Sequence, residues 1–357
     1  MPEVDLKTAA GPVKMQYFVA TPADSDARDI DRSKPTILFI HSVFIGAEIF
    51  VAQFTDPGLR QCNLVAPMLP GHGTTQSPPL TENYTHQAMA EDMALFLVRH
   101  ALSIPSCHVV GLAVGANVGM ELAVLHPEKV ISLTLCSPLA LKESEGNVEA
   151  RQEIMHYWFD AFKDAIPDMS LINDALYGSE QMTFSNRYSD VRSVRAVTQS
   201  SINYASSNWA PEPDKLRSAA VIVNQWHSSR PRSGSEAWQR FFARQIRQPV
   251  QIIHFDDDVP YPLPVRQEIL DEFRAAGREV PMHQVQGTCY GVLVSAEDVN
   301  PLIYRFIASH TEPPLPSTPP RGSVHAFDSP FDQRLAECVS SQNLSDDEDF
   351  DDDFTII

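Results

Sequence analysis

Nowhere in this 357-residue chain do eighteen apolar residues run consecutively, so no membrane-spanning helix is expected. The opening stretch, Met1-Pro2-Glu3-Val4-Asp5, lacks a basic region followed by an apolar one, and a secretory signal is not expected either. Cysteine is scarce. The five present (Cys62, Cys107, Cys136, Cys289 and Cys338) show no metal-ligand spacing. Three of them lie in strand-like apolar runs, which predicts small reduced core residues and a cytoplasmic protein, with no metal and no cofactor. Positive charge is the other shortage: 27 Lys and Arg face 46 Asp and Glu, a net of −19. That balance argues against nucleic acid or an anionic membrane as a partner. It is also uneven. From Thr311 onward eleven acids face two arginines, a net of −9, which leaves −10 on the first 310 residues.

Hydrophobic residues make up 43 % of the chain, enough for one large α/β domain or two modest ones. Residues 13–20 alternate apolar and polar, as an edge strand does. Four nearly continuous apolar runs follow, at residues 35–41, 63–66, 108–110 and 131–136, the mark of strands covered on both faces. Helical spacing appears over 85–101, with Met89, Met93, Phe96 and Leu97, and again over 117–125 before Pro127. Strand alternating with helix predicts a mostly parallel, doubly wound sheet. The rhythm stops near Pro138. Residues 139–247 are helix-rich and aromatic, an expected cap, in which 219–223 reads as either a short strand or a buried helical turn. The sheet restarts at 250–255, followed by a helix over 264–276, a strand over 280–285 and a helix over 298–309. The expected division is therefore a core of 1–138 and 248–310, a cap of 139–247, and a tail of 311–357. Prolines and acids dominate that tail, which is expected to be disordered because it has too little apolar surface to offset its ordering entropy.

The run Val109-Val110-Gly111-Leu112-Ala113-Val114-Gly115 has the form of a strand–turn–helix elbow, Gly-x-Ser-x-Gly, with alanine at the centre. Leu69-Pro70-Gly71-His72-Gly73-Thr74 precedes it, and His126-Pro127-Glu128-Lys129-Val130 follows. With the strand ending at His41, these pieces resemble, in order and spacing, the α/β-hydrolase fold superfamily over about residues 13–310. The resemblance implies that fold with a helical cap. Function belongs to the site rather than to the fold.

The family's mechanism needs a nucleophile, a histidine base and an orienting carboxylate. In Phe255-Asp256-Asp257-Asp258-Val259-Pro260, Asp258 aligns with the acid. In Gly287-Thr288-Cys289-Tyr290-Gly291, Tyr290 falls where the base would be, and a phenol is a poor base at neutral pH. Ala113 has no oxygen to attack with. Candidate substitutes are weak: Ser42 and His41 are sequence neighbours that point apart, Cys289 needs a base to lower its pKa, and His72 and Asn117 read as loop packing and helix surface. A pocket bounded by Ser42, Val43, Ala113 and Val114 is expected, in which the Val43 and Val114 amides could hold a carbonyl and Asp258 and Tyr290 could bond a ligand or each other. Two functions stay open. One is a non-hydrolytic pseudoenzyme binding a small apolar or carbonyl-containing ligand, or a protein partner through the acidic tail. The other is an enzyme using Asp258 and Tyr290 for unconventional hydrolysis, elimination or isomerisation of a small metabolite. A conventional hydrolase remains as a third, weaker reading. Arg230, Arg232, Arg240, Arg244 and Arg247 form a basic stretch that could meet the tail, and Ser345 precedes a run of acids suited to an acid-directed kinase.

Overall fold

The computed structural model describes residues 2–98, 102–228, 243–313, 315–316 and 327–342. An eight-stranded sheet is built from β1 (Glu3–Thr8), β2 (Gly11–Ala20), β3 (Thr36–Ile40), β4 (Asn63–Pro67), β5 (Cys107–Leu112), β6 (Val130–Cys136), β7 (Val250–Asp257) and β8 (Met282–Thr288), in the order β1-β2-β4-β3-β5-β6-β7-β8. The first two pairings are antiparallel and the rest parallel. Every residue of β3, β4 and β5 is buried, as expected of central parallel strands with both faces covered. Helix α1 (His86–Leu97), whose N-cap Thr85 side chain accepts from the Ala88 amide at 3.3 Å, runs between β4 and β5, and α2 (Val114–Leu125) between β5 and β6. Thr85 thereby satisfies one of the helix's orphan donors.

Two elements differ from expectation at the edges of the sheet. The strand expected at the edge, β2, is covered by β1, which pairs with it from Glu3↔Gln16 to Thr8↔Gly11. In β1 the exposed Glu3, Asp5 and Lys7 alternate with Val4 and the buried Leu6, a charged edge of the kind that discourages further pairing. The last strand, β8, begins two residues later than expected and runs to Thr288.

The cap comprises α3 (Glu145–Ala161), α4 (Met169–Tyr188), α5 (Arg192–Asn208) and α6 (Pro213–Ser228). Residues 219–223 form a buried turn of α6, where Ala219, Ile222 and Val223 are inaccessible. Beyond the sheet's last helices, α7 (Leu263–Ala275) and α8 (Ala296–Ser309), part of the expected disordered tail is ordered. Helix α9 (Asp332–Gln342) packs on α5, and Phe331 just before it is fully buried. Its ring lies 4.6 Å from Phe18 and 5.1 Å from Phe54. Arg334 pairs with the buried Glu48, donates to Ser200 Oγ at 2.8 Å and lies 3.6 Å over the Tyr204 ring. Leu335 and Cys338 are buried as well, and Arg60 lies 4.5 Å over the Phe327 ring and donates to Asp328 O at 3.1 Å, so a few long-range contacts hold a segment of otherwise polar composition. The acidic run at 343–357, Ser345 and Arg230, Arg232 and Arg240 lie outside the described residues. Among the described residues no helix is long and apolar enough to cross a membrane.

Candidate active site

Ala113 sits at the turn from β5 into α2 with φ 46° and ψ −107°, a conformation that L residues rarely adopt. Its amide donates to Cys136 O at 2.9 Å. The flanking glycines are required by contact. A Cβ on Gly111 would come within 2.5 Å of Ala116 backbone, and one on Gly115 within 2.0 Å of Ile40 O. The strained elbow is therefore present in full, with a methyl group at its apex.

On the loop after β3, His41 is completely buried. Its Nε2 accepts from the Leu69 amide at 2.9 Å and its Nδ1 meets Ser42 O at 2.6 Å. These bonds require the neutral Nδ1–H tautomer. Burial, reinforced by His72, holds its pKa well below the ordinary histidine value. His41 is thus a strut between two loops. Ser42 Oγ accepts from the Val114 amide at 3.4 Å, so the donor expected to face a ligand carbonyl faces a serine oxygen. Ser42, Val43, Ala113 and Val114 are all buried.

Asp258 is buried at the end of β7. Its Oδ2 accepts from Ser137 Oγ at 2.8 Å and from Arg266 Nη2 at 2.7 Å, and its Oδ1 from the Tyr261 amide at 3.2 Å. Both side chains of the Asp258–Arg266 pair are inaccessible to solvent. Arg266, in the first turn of α7, also bonds Pro138 O and lies 5.0 Å over the Tyr261 ring. The acid position therefore faces a permanent cation.

Tyr290 is 3 % exposed. Its hydroxyl donates to Val43 O at 2.6 Å, its amide donates to Thr183 O at 3.0 Å, and Phe184 meets its ring edge-on at 5.8 Å. Burial drives the phenol pKa well above its ordinary value, the neighbouring Cys289 adds to that, and a hydrogen bond with Ser42 partly offsets it. A phenol held protonated donates and does not accept a proton as a base. Tyr290 and Asp258 thus have separate partners and are not hydrogen-bonded to each other. Cys289 is buried with a thiol pushed well above its usual pKa, first by burial and then by Asp258, the reverse of an activated thiolate. His72 is buried, contacts Pro70 O at 3.3 Å and has its pKa lowered to about 4 by burial. Asn117 Oδ1 accepts from the Leu139 amide at 3.1 Å.

The cap is tied to these loops. Helix α4 breaks at Ser185, at φ 52°, and Ser185 Oγ donates to Asp257 at 2.7 Å. Asn147 of α3 donates to Pro260 O at 2.7 Å. A cavity lies under the cap helices, with Phe44 and Ile45 on its core side and Thr183 and Trp209 on its cap side. Ser42, Val43, Ala113 and Val114 are not among its described lining residues. Sequence reasoning missed Arg266, Ser137 and Phe184. Arg266 stands eight residues after Asp258, and no periodicity or spacing marks it as the partner.

Residues 35–274 match the family model described as alpha/beta hydrolase fold. The chain belongs to that family. Its fold is similar to an esterase from Thermogutta terrifontis (TM-score 0.66, 15 % identity, 87 % of this chain and 100 % of that one). It is also similar to a hydrolase from Pseudomonas aeruginosa PA01 (TM-score 0.63, 17 % identity, 85 % and 98 %). At these identities the likeness concerns the fold. A curated relative, the dihydrolipoyllysine-residue acetyltransferase component of the acetoin cleaving system of Cupriavidus necator, is 36 % identical over 123 residues, 32 % of this chain. The chain spans about a third (31 %) of that protein's length.

Proposed function

We propose that this chain is a non-hydrolytic member of its family, a cytoplasmic pseudoenzyme with a degenerate triad that binds a small ligand beneath its cap. The observation that carries the reading is the commitment of Asp258 to Arg266, 2.7 Å apart with both side chains fully buried. An orienting carboxylate serves by stabilising an imidazolium that forms and decays during turnover. A guanidinium that stays charged throughout cannot take that part. Tyr290, donating to Val43 O, and the methyl of Ala113 support the same conclusion. Retaining the strained elbow, its glycines and the tied cap without an attacking oxygen fits a scaffold kept for its shape.

A fluorophosphonate probe tests the reading directly. The wild-type chain is expected to remain unlabelled after prolonged incubation, under conditions where an authentic serine esterase is fully modified. Labelling of the wild-type chain that persists in Ser42→Ala would reveal an active serine elsewhere and overturn it.

A further inference from the structure

The cavity beneath the cap has walls of a particular chemistry. Trp158, Trp209 and Phe44 bring aromatic rings to it, and Ile154 and Met155 extend its apolar surface. The rings stand as walls, not as a stack. Trp158 and Trp209 are 6.4 Å apart at 83°, and Phe44 and Trp209 are 6.4 Å apart at 56°. Both indole N–H groups are already used, by Trp209 O at 3.1 Å and Gly71 O at 2.7 Å. These bonds fix the rings, and Phe162, tilted against Trp158 at 5.0 Å, and His72, edge-on to Trp209 at 5.7 Å, hold them from behind, so that what the rings offer a ligand is the aromatic surface lining the cavity.

Glu180 is the one ionisable side chain among the cavity's described lining residues. Burial pushes its carboxyl above the ordinary range, against smaller opposition from a hydrogen bond with Thr198 and from the charge of Arg195. Arg195, however, is paired with Asp190 at 2.6 Å. A carboxylate on an apolar wall repels an anion, and a purely apolar occupant would leave it poorly solvated. The occupant that satisfies both the rings and the acid is a cation whose charge is spread over methyl or methylene groups, because ring faces attract such ions and apolar walls accept their carbon. Size narrows the choice. The space open to the centre of a water molecule is about 40 Å³. At about 10–15 Å³ for each water this admits roughly three, a bulk of about 90 Å³ at about 30 Å³ of liquid for each, which limits the occupant to a small ion.

We propose that the cap cavity binds a compact alkylammonium ion, with Phe44, Trp158 and Trp209 facing its alkyl groups and Glu180 supplying the counter-charge. This rests on the reading of the chain as a ligand-binding protein and names the chemical class that it binds. The test is a titration of tryptophan fluorescence in the full chain with tetramethylammonium chloride, with sodium chloride as the ionic control and tert-butanol as the neutral compound of equal heavy-atom count. Tetramethylammonium is expected to give a saturable change that sodium chloride and tert-butanol do not. Glu180→Gln and Trp158→Phe are each expected to weaken it at least tenfold while keeping the wild-type circular dichroism spectrum. An equal response to tert-butanol, undiminished binding by Glu180→Gln, or no saturable response to tetramethylammonium would each overturn the proposal. If the chain also stays unlabelled by fluorophosphonate, the failure lies in the ligand class and the non-hydrolytic reading stands. If it is labelled, that reading fails as well.

Discussion

Replacing Asp258 by alanine separates a structural carboxylate from an orienting one. As an orienter in a working triad, the acid is poised for catalysis, and its loss is read mainly in turnover. Here it is the counter-ion of a guanidinium that has no access to water. Removing one partner of such a pair leaves the other charge buried and uncompensated, at about 3–5 kcal/mol. Arg266 would keep its bond to Pro138 O and its place over Tyr261, which favours the lower end, about 3 kcal/mol. With a urea slope near 3 kcal/mol/M for a chain of this size, the midpoint should fall by about 1 M. The double variant Asp258→Leu/Arg266→Met removes both charges and is expected to recover most of the loss, since buried pairs can be replaced by apolar side chains at little net cost. The assay is equilibrium urea unfolding followed by fluorescence and circular dichroism, with coincident transitions required. A midpoint for Asp258→Ala within about 0.2 M of wild type, a loss of less than about 0.6 kcal/mol, would refute the assignment of this carboxylate to structure.

The remaining predictions concern other parts of the same frame. Tyr290→Phe removes the donor to the buried Val43 carbonyl and should cost about 1–2 kcal/mol in urea unfolding; an unchanged midpoint would contradict the role given to the hydroxyl. Phe331→Ala should cost about 3–5 kcal/mol and speed amide exchange in β2, where Phe18 lies against it; unaltered exchange there would mean that the segment is not anchored by this ring. Burial depresses the pKa of both His72 and His108 from 6.5 to about 4. The folded state therefore keeps these rings neutral where the unfolded state protonates them. Their contribution is complete above pH 6.5 and is lost as pH falls toward 4, by about 3 kcal/mol for each ring. Asp92, lifted by burial from 3.8 to about 6, has the opposite sign over that window, since its native form holds a proton that the unfolded chain releases. Urea midpoints at pH 7.5, 6.0 and 4.5 should show a smaller acid loss in His72→Gln than in wild type, and equal losses would contradict the assignment.

How much of this was legible in the sequence follows from which interactions are local. The strands β3 and β5 are covered on both faces, so burial wrote itself as continuous apolar runs. In β1 only Leu6 is essentially inaccessible. Its identity as a strand comes from backbone pairing with β2, which leaves little trace in residue type. The described part of the tail was hidden for a related reason. Average composition predicts disorder, whereas a few side chains, among them Phe331, Leu335 and the Arg334 that reaches Glu48, hold the segment, and a few anchors vanish in an average. Elbow and loops could be placed because their glycines answer to local crowding. Their partners could not: the pairings Asp258–Ser137 and Tyr290–Val43 join residues 121 and 247 positions apart.

The same distinction explains why Arg266 matters more to the proposed reading than the missing oxygen at residue 113. A buried carboxylate needs a counter-charge whatever the fold is used for. In a hydrolase an imidazole supplies it transiently, and the protonation that completes the ion pair is the proton transfer that drives the reaction. On the proposed reading, tyrosine at residue 290 leaves that electrostatic need without a proton carrier. The Arg266 guanidinium meets the need as a directly hydrogen-bonded counter-charge, 2.7 Å away. On that reading, the ion pair holds the loops around the elbow in place without moving a proton between them. The cap, tied through Thr183, Ser185 and Asn147 to those loops, then encloses a cavity whose chemistry is set by Glu180 and aromatic rings, independently of residue 113.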